Sequence, residues 1–174
     1  MVMSFGKRVY EVINKHIMDE FASAYSFLTM SAVLFEMGLR GCAKWMELQA
    51  TNRADRAMIV YHHMQIRNGK IKLLPIPVTK QEWRAPLHIF EELLRLEQRL
   101  SASITAIYEF SVGDKDFQTQ GLLTWFIQEQ LKNESVAEEL LGRLRKMQST
   151  DLGVFMFDAE MAKRAETEGA GNAK

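Results

Sequence analysis

The chain has little of what would mark a secreted, membrane-bound or nucleic-acid-binding protein. It carries one cysteine in 174 residues, Cys42, so no intrachain disulfide can form. A lone thiol fits a reducing compartment, the cytoplasm, where cysteine packs as a small buried hydrophobe. There is no surplus of either charge, since 22 Lys and Arg stand against 22 Asp and Glu. Nucleic acid or an anionic membrane would require a basic excess, so neither is expected as a partner. No apolar run approaches the roughly 20 residues of a membrane span. Met1 to Tyr10 holds no apolar core of the kind a signal peptide needs. Proline is scarce and localised: Pro75, Pro77 and Pro86 share one short segment, which leaves two long stretches without a helix breaker. What remains is 47% hydrophobic and 25% charged, the balance of one soluble globular domain long enough to bury its own core.

Those two stretches read as helices. From about Phe5 to Met37, apolar and small residues recur at helical spacing: Val9, Ile13, Ile17, Ala24, Phe27, Ser31 and Leu34. Met37-Gly38-Leu39-Arg40-Gly41 ends that helix in a tight turn. A second helix spans about Cys42 to Arg67 and stops at Asn68-Gly69. A third starts near Pro86 and runs to about Val112, a fourth from about Phe117 to Met147, with Gly113 to Asp116 as the turn between them. A short apolar helix, Val154 to Arg164, and a loose polar end, Glu166 to Lys174, complete the chain. Short connections make helices one and two antiparallel, and likewise three and four. The link from Gly69 to Ala85 can extend about 55 Å, longer than the about 40 Å of a 27-residue helix. It can therefore cross the whole bundle and make helix three parallel to helix two. An all-α four-helix bundle with one long crossover is expected, the ferritin-like arrangement, as against a generic bundle with a loose loop.

At about 100° per residue, each long helix places one polar side chain at the centre of its apolar stripe and near its midpoint. Glu20 lies among Ile13, Ile17, Ala24 and Phe27, and Arg53 among Met46, Ala50, Ala57, Val60 and Met64. Glu97 lies among Phe90, Leu93, Ile104 and Tyr108, and Gln130 among Leu123, Phe126, Ala137 and Leu144. Arg56, one turn from Arg53, reaches the same level. Buried charge must be paired or metal-bound. Either the carboxylates are metal ligands, or Glu20 and Glu97 pair with Arg53 and Arg56 in a closed cluster. The chemistry favours the cluster, because guanidinium stays protonated and two carboxylates with two cations are already neutral.

Several separate motifs, in order along the chain, resemble bacterial non-haem ferritins. Ile13 to Ser23 resembles the family's opening I-N-x-Q-I-x-x-E-x-x-A-S, with Glu20 on its first iron-ligand glutamate. Ala43-Lys44-Trp45-Met46 and Gln49-Ala50 match the start of the family's second helix, and Arg67-Asn68-Gly69-Lys70-Ile71 its end. Leu96-Glu97 matches the third-helix ligand, and Trp125 to Gln130 the fourth-helix W-F/Y-V-x-E-Q. Val154 to Asp158 resembles the short fifth helix that lines the four-fold axis of a 24-subunit shell. The resemblance implies a ferritin-like domain over residues 1–165, a flexible tail over 166–174, and retained iron-ligand positions at Glu20, Glu97, Glu129 and Gln130.

The departures are equally specific. Where the family's second helix reads E-E-x-x-H-A, this chain has Asn52-Arg53-Ala54-Asp55-Arg56-Ala57. The bridging glutamate falls on Arg53 and the histidine ligand on Arg56; Asn52 is a third replaced position. Lys132 and Asn133 stand where the third iron site has acidic residues, and Ala54 stands where a haem-binding relative has its axial methionine, so no haem is expected. The pattern resembles the light chain of animal ferritins, in which a basic residue replaces a ligand. No catalytic residue is then expected, and the implied role is an accessory shell subunit for iron storage, able to co-assemble with a catalytic ferritin. Two other readings stay open: a ferroxidase with a rearranged site using Glu20, Glu97, Glu129, Gln130 and His16, and a cage that stores no iron. The helix-two face that looks into the cavity of ferritins carries Leu48, Thr51, Asn52, Asp55 and Met58, a sparse set for seeding mineral.

Overall fold

The computed structural model describes residues 5–77 and 82–172, so four crossover residues and the last two of the expected tail lie outside it. Its elements are α1 (Lys7–Glu36), α2 (Arg40–Ile66), α3 (Pro86–Gly113), α4 (Phe117–Met147) and α5 (Asp151–Asn172), with no strand among the described residues. α1 packs along α2 and α3 along α4, while α1 also meets α3. Arg67, just past the end of α2, pairs at 2.7 Å with Asp116, just past the end of α3. Both helices therefore finish at the same end of the bundle, and α2 and α3 run parallel as the crossover length required. Gly38, at φ +81°, makes the α1–α2 turn in a backbone region that a side chain would resist.

The core has two apolar halves. One gathers Phe27, Met30, Leu34, Met46, Phe90 and Leu140 with α5's Phe157 and Met161. The other gathers Val9, Ile13, Ile17, Val60, Ile104, Ile107, Leu123 and Phe126. Between them lie the four central polar residues. Tyr108, expected on the inner stripe of α3, is instead 38% exposed, and Ile107 takes the inward position at 1%. One residue is 100° of rotation, enough to exchange which side chain faces in.

α2 and α4 are the least closely packed neighbours: among the described residues no Cα of one comes within 8 Å of the other. Arg53, Arg56 and Trp125 line that seam.

The fifth helix departs furthest from expectation. Rather than ending near Arg164, it continues through the segment read as loose, to Asn172. Its partners are on another helix: Glu168 accepts hydrogen bonds from Trp45 Nε1 and Gln49 Nε2, each at 3.0 Å. Leu39 gives α2 no side-chain cap, and Asp158 does so from α5, accepting the Gly41 and Cys42 amides at 3.1 and 2.8 Å. A Cβ on Gly41 would stand 2.0 Å from the Asp158 carbonyl oxygen, so glycine is what admits α5 this closely. Cys42 is fully buried there, and burial, followed by the Asp158 charge, pushes its thiol pKa up. The Val154 to Phe157 run divides: Phe157 stacks edge-on against Phe90 at 5.2 Å inside the protomer, whereas Phe155 and Met156 are exposed.

Candidate functional site

Helical periodicity brings Glu20, Arg53, Arg56, Glu97 and Gln130 to one level between the apolar halves, each 5% exposed or less. Arg56 grips Glu20 Oε1 from Nε at 2.9 Å and from Nη2 at 2.8 Å. Arg53 Nη2 donates to Glu97 Oε1, and its Nη1 stands 3.9 Å from Glu20 Oε2. Gln130 joins the two pairs. Its Nε2 donates to the Glu97 carboxylate at 2.8 Å and to the Glu97 backbone carbonyl at 3.0 Å. Its Oε1 accepts from Arg56 Nη2 at 3.1 Å and Arg53 Nη1 at 3.4 Å. Aromatic faces complete the cations' surroundings, with Phe126 4.9 Å from the Arg56 guanidinium and Phe27 5.7 Å from that of Arg53.

Burial alone would raise the Glu20 pKa, but the Arg56 charge, the neighbouring His16 ring and the Arg53 charge outweigh it and hold it at about 2. Arg56 is pushed below the ordinary arginine range by burial first and by Arg53 second, against the support of Glu20. His16 is fully buried one turn before Glu20, with Nε2 3.4 Å from Glu20 Oε1. Ser103 donates its single hydroxyl proton to Asp19 at 3.0 Å, so its oxygen accepts from His16 Nδ1 at 2.9 Å. A polar chain thus leads from Asp19 through Ser103 and His16 to Glu20.

Not every expected site residue joins this layer. Glu129 is about one-third exposed and pairs with Lys132 at 2.7 Å. Asn52, grouped by position with the arginines, is uncharged and half-buried. Both line a cleft of about 330 Å³ in the α2–α4 seam, together with Arg53, Asp55, Arg56, Trp125 and Asn133. Among the described residues, no group of three or more His, Cys, Asp or Glu side chains is placed to hold a metal ion. The two carboxylates of the layer lie instead against guanidinium groups, which cannot act as ligands.

A second buried ion pair escaped the sequence reading. Arg67 donates to both oxygens of Asp116 at 2.8 and 2.7 Å and to Thr119 Oγ1 at 2.8 Å, beneath the ring of Phe5. Asp116 also accepts the Thr119 amide as the N-cap of α4. The spacing Asp116-x-x-Thr119 before an apolar run was the available signal. His63 beside it has its pKa lowered, by burial first and then by the Arg67 charge.

A bundle with a single crossover and buried acid residues at its midpoint is the ferritin class of architecture. The ferritin-like domain family model matches residues 10–147, and the chain belongs to that family. Its relatives include the bacterial non-heme ferritin of Bacteroides fragilis (strain 638R), 27% identical over 159 residues that span 91% of this chain and 99% of that one. The bacterial non-heme ferritin of Staphylococcus haemolyticus is 25% identical over 94% of this chain and 98% of its own length. Among solved structures, an open-pore ferritin from the hyperthermophilic archaeon Archaeoglobus fulgidus superposes with a TM-score of 0.88 at 28% identity, covering 91% of this chain and 96% of that one.

Proposed function

We propose that the chain is a subunit of a ferritin-type iron-storage shell whose di-iron position is filled by Glu–Arg ion pairs. Its role is then structural or accessory. Kinship with bacterial non-heme ferritins supports the storage reading. The observation that carries the accessory role is the double grip of Arg56 on Glu20 and of Arg53 on Glu97 at the bundle's midpoint. A dication entering there would meet two fixed positive charges and two carboxylates already neutralised. Iron is cargo on this reading, held on the cavity wall; the shell has 24 subunits, sits in the cytoplasm and takes a catalytic ferritin subunit as partner.

Stopped-flow Fe(II) oxidation by the purified shell tests it. No fast phase is expected from this chain alone, and adding a catalytic subunit during assembly should supply one. Fast oxidation at a few irons per subunit, abolished by Glu97→Ala, would overturn the accessory role. After an iron soak, anomalous density should lie on the cavity wall; density between Glu20 and Glu97 would contradict the ion-pair reading.

A further inference from the structure

We propose that the cleft between α2 and α4 binds a small oxyanion of the phosphate class, on the reading above that arginines fill the bundle's midpoint. The inner wall of the cleft is made by Arg53 and Arg56, 2% and 5% exposed. Their hydrogen-bonding is incomplete: Arg53 Nε and Arg56 Nη1 are buried and have no acceptor among the described residues. A buried donor without a partner is costly, whereas guanidinium with an oxyanion is among the strongest pairings available to a side chain. The remaining lining includes Asn133, whose amide can donate to such a guest.

Two carboxylates share the lining. Glu129 is balanced by Lys132 at 2.7 Å, and Asp55 is exposed, where water and salt screen it. A cation drawn by those two would face two guanidinium groups behind them. The unpartnered nitrogens are covered from solvent, so entry requires a side chain at the mouth to move. Trp125, 43% exposed, lines the cleft with its ring 5.9 Å from the Arg56 guanidinium. Binding should therefore change tryptophan fluorescence.

The test is equilibrium dialysis of labelled inorganic phosphate against the iron-free assembled protein in metal-free buffer, with tryptophan fluorescence followed in parallel. Saturable uptake with a fluorescence change is expected. Asn133→Leu, which leaves the ion-pair cluster intact, should weaken uptake about tenfold, and Arg56→Lys, which keeps the charge but removes the fork, by at least as much. No saturable uptake by the unaltered protein would overturn the proposal, as would uptake unchanged in both variants. Because no iron is present, its failure is separate from that of the accessory role, which fast iron oxidation decides.

Discussion

A double-mutant cycle on Glu20 and Arg56 probes whether the polar layer is a closed ion-pair cluster. The pair is held by a hydrogen bond of 2.9 Å from Arg56 Nε and an ion-pair contact of 2.8 Å from its Nη2, with the side chains of Glu20 and Arg56 0% and 6% exposed. At an effective dielectric constant near 20 the attraction is about 4 kcal/mol at 4 Å, and breaking a buried pair from one side costs about 3–5 kcal/mol. The two single variants should differ in character. Glu20→Leu leaves a guanidinium that cannot lose its proton, so its cost of about 3–5 kcal/mol should be flat between pH 5 and 7. Arg56→Met leaves a carboxylate that can escape by protonating. From an ordinary value of 4.5, that escape caps the cost of the stranded charge at about 3 kcal/mol at pH 7 and below about 1 kcal/mol at pH 5. The double variant, apolar on both sides, should lie within about 1–2 kcal/mol of the parent. Guanidinium unfolding followed by circular dichroism gives all four corners, at one subunit concentration because assembly contributes to stability. Additive single effects, or an Arg56→Met penalty that ignores pH, would refute the pairing as the organising interaction of the core.

Acid should weaken the fold in a defined window. The Glu20 pKa is depressed from 4.5 to about 2, so its contribution is complete above pH 4.5 and is lost as pH falls toward 2; the difference is roughly 3 kcal/mol. Asp116, also depressed because Arg67 and the Thr119 amide outweigh its burial, adds to the same loss. A stability curve measured down to pH 2 should show this slope, and Arg56→Met should flatten it. Replacing both cations, Arg53→Glu with Arg56→His, turns a neutral layer into one with three carboxylates, which should raise the melting temperature on adding Fe(II) or Zn(II). A folded double variant that gains no stability from either metal would mean that the helix-two register is misassigned. Gly41→Ala, whose methyl would meet the Asp158 backbone at 2.0 Å, should cost about 1–3 kcal/mol and make Cys42 reactive to a thiol reagent; an unreactive Cys42 would show α5 to be held by other contacts.

Periodicity was enough to place Glu20, Arg53, Glu97 and Gln130 on inner faces, because a bundle repeats one geometric rule along four helices. The crossover length likewise fixed the direction of α3. What the sequence hid was whatever depended on a partner from another element. Glu168 reads as solvent-facing until Trp45 and Gln49 are beside it, and so α5 looked shorter than it is. Asp158 reads as the polar end of an apolar run, though it caps a helix 116 residues away in sequence. Glu129 and Gln130 are adjacent letters of one motif, yet 100° of rotation sends one to the cleft and the other to the core. Arg67 and Asp116 each sit in a turn, where periodicity gives no inward direction.

The demand that the layer be neutral connects the fold to the proposed role. With glutamate at position 53 and histidine at 56, three inward carboxylates would need metal to compensate them. With Arg53 and Arg56 in those places, the layer's carboxylates are paired within the chain and need no metal for charge balance. Any dealings with iron then fall to the surface of α2, where α5 takes up the end near Leu48 and Gln49. Of the face left open, Thr51, Asp55 and Met58 are exposed and Asn52 partly so, a single carboxylate among them. Mineral seeds on clustered hard oxygen ligands, and one carboxylate is no cluster. A shell made of this chain alone should therefore fill slowly, whereas one that mixes it with a catalytic subunit should fill at a rate set by that subunit's share. Iron uptake measured against mixing ratio tests this directly, since a rate independent of the ratio would place oxidation on this chain after all.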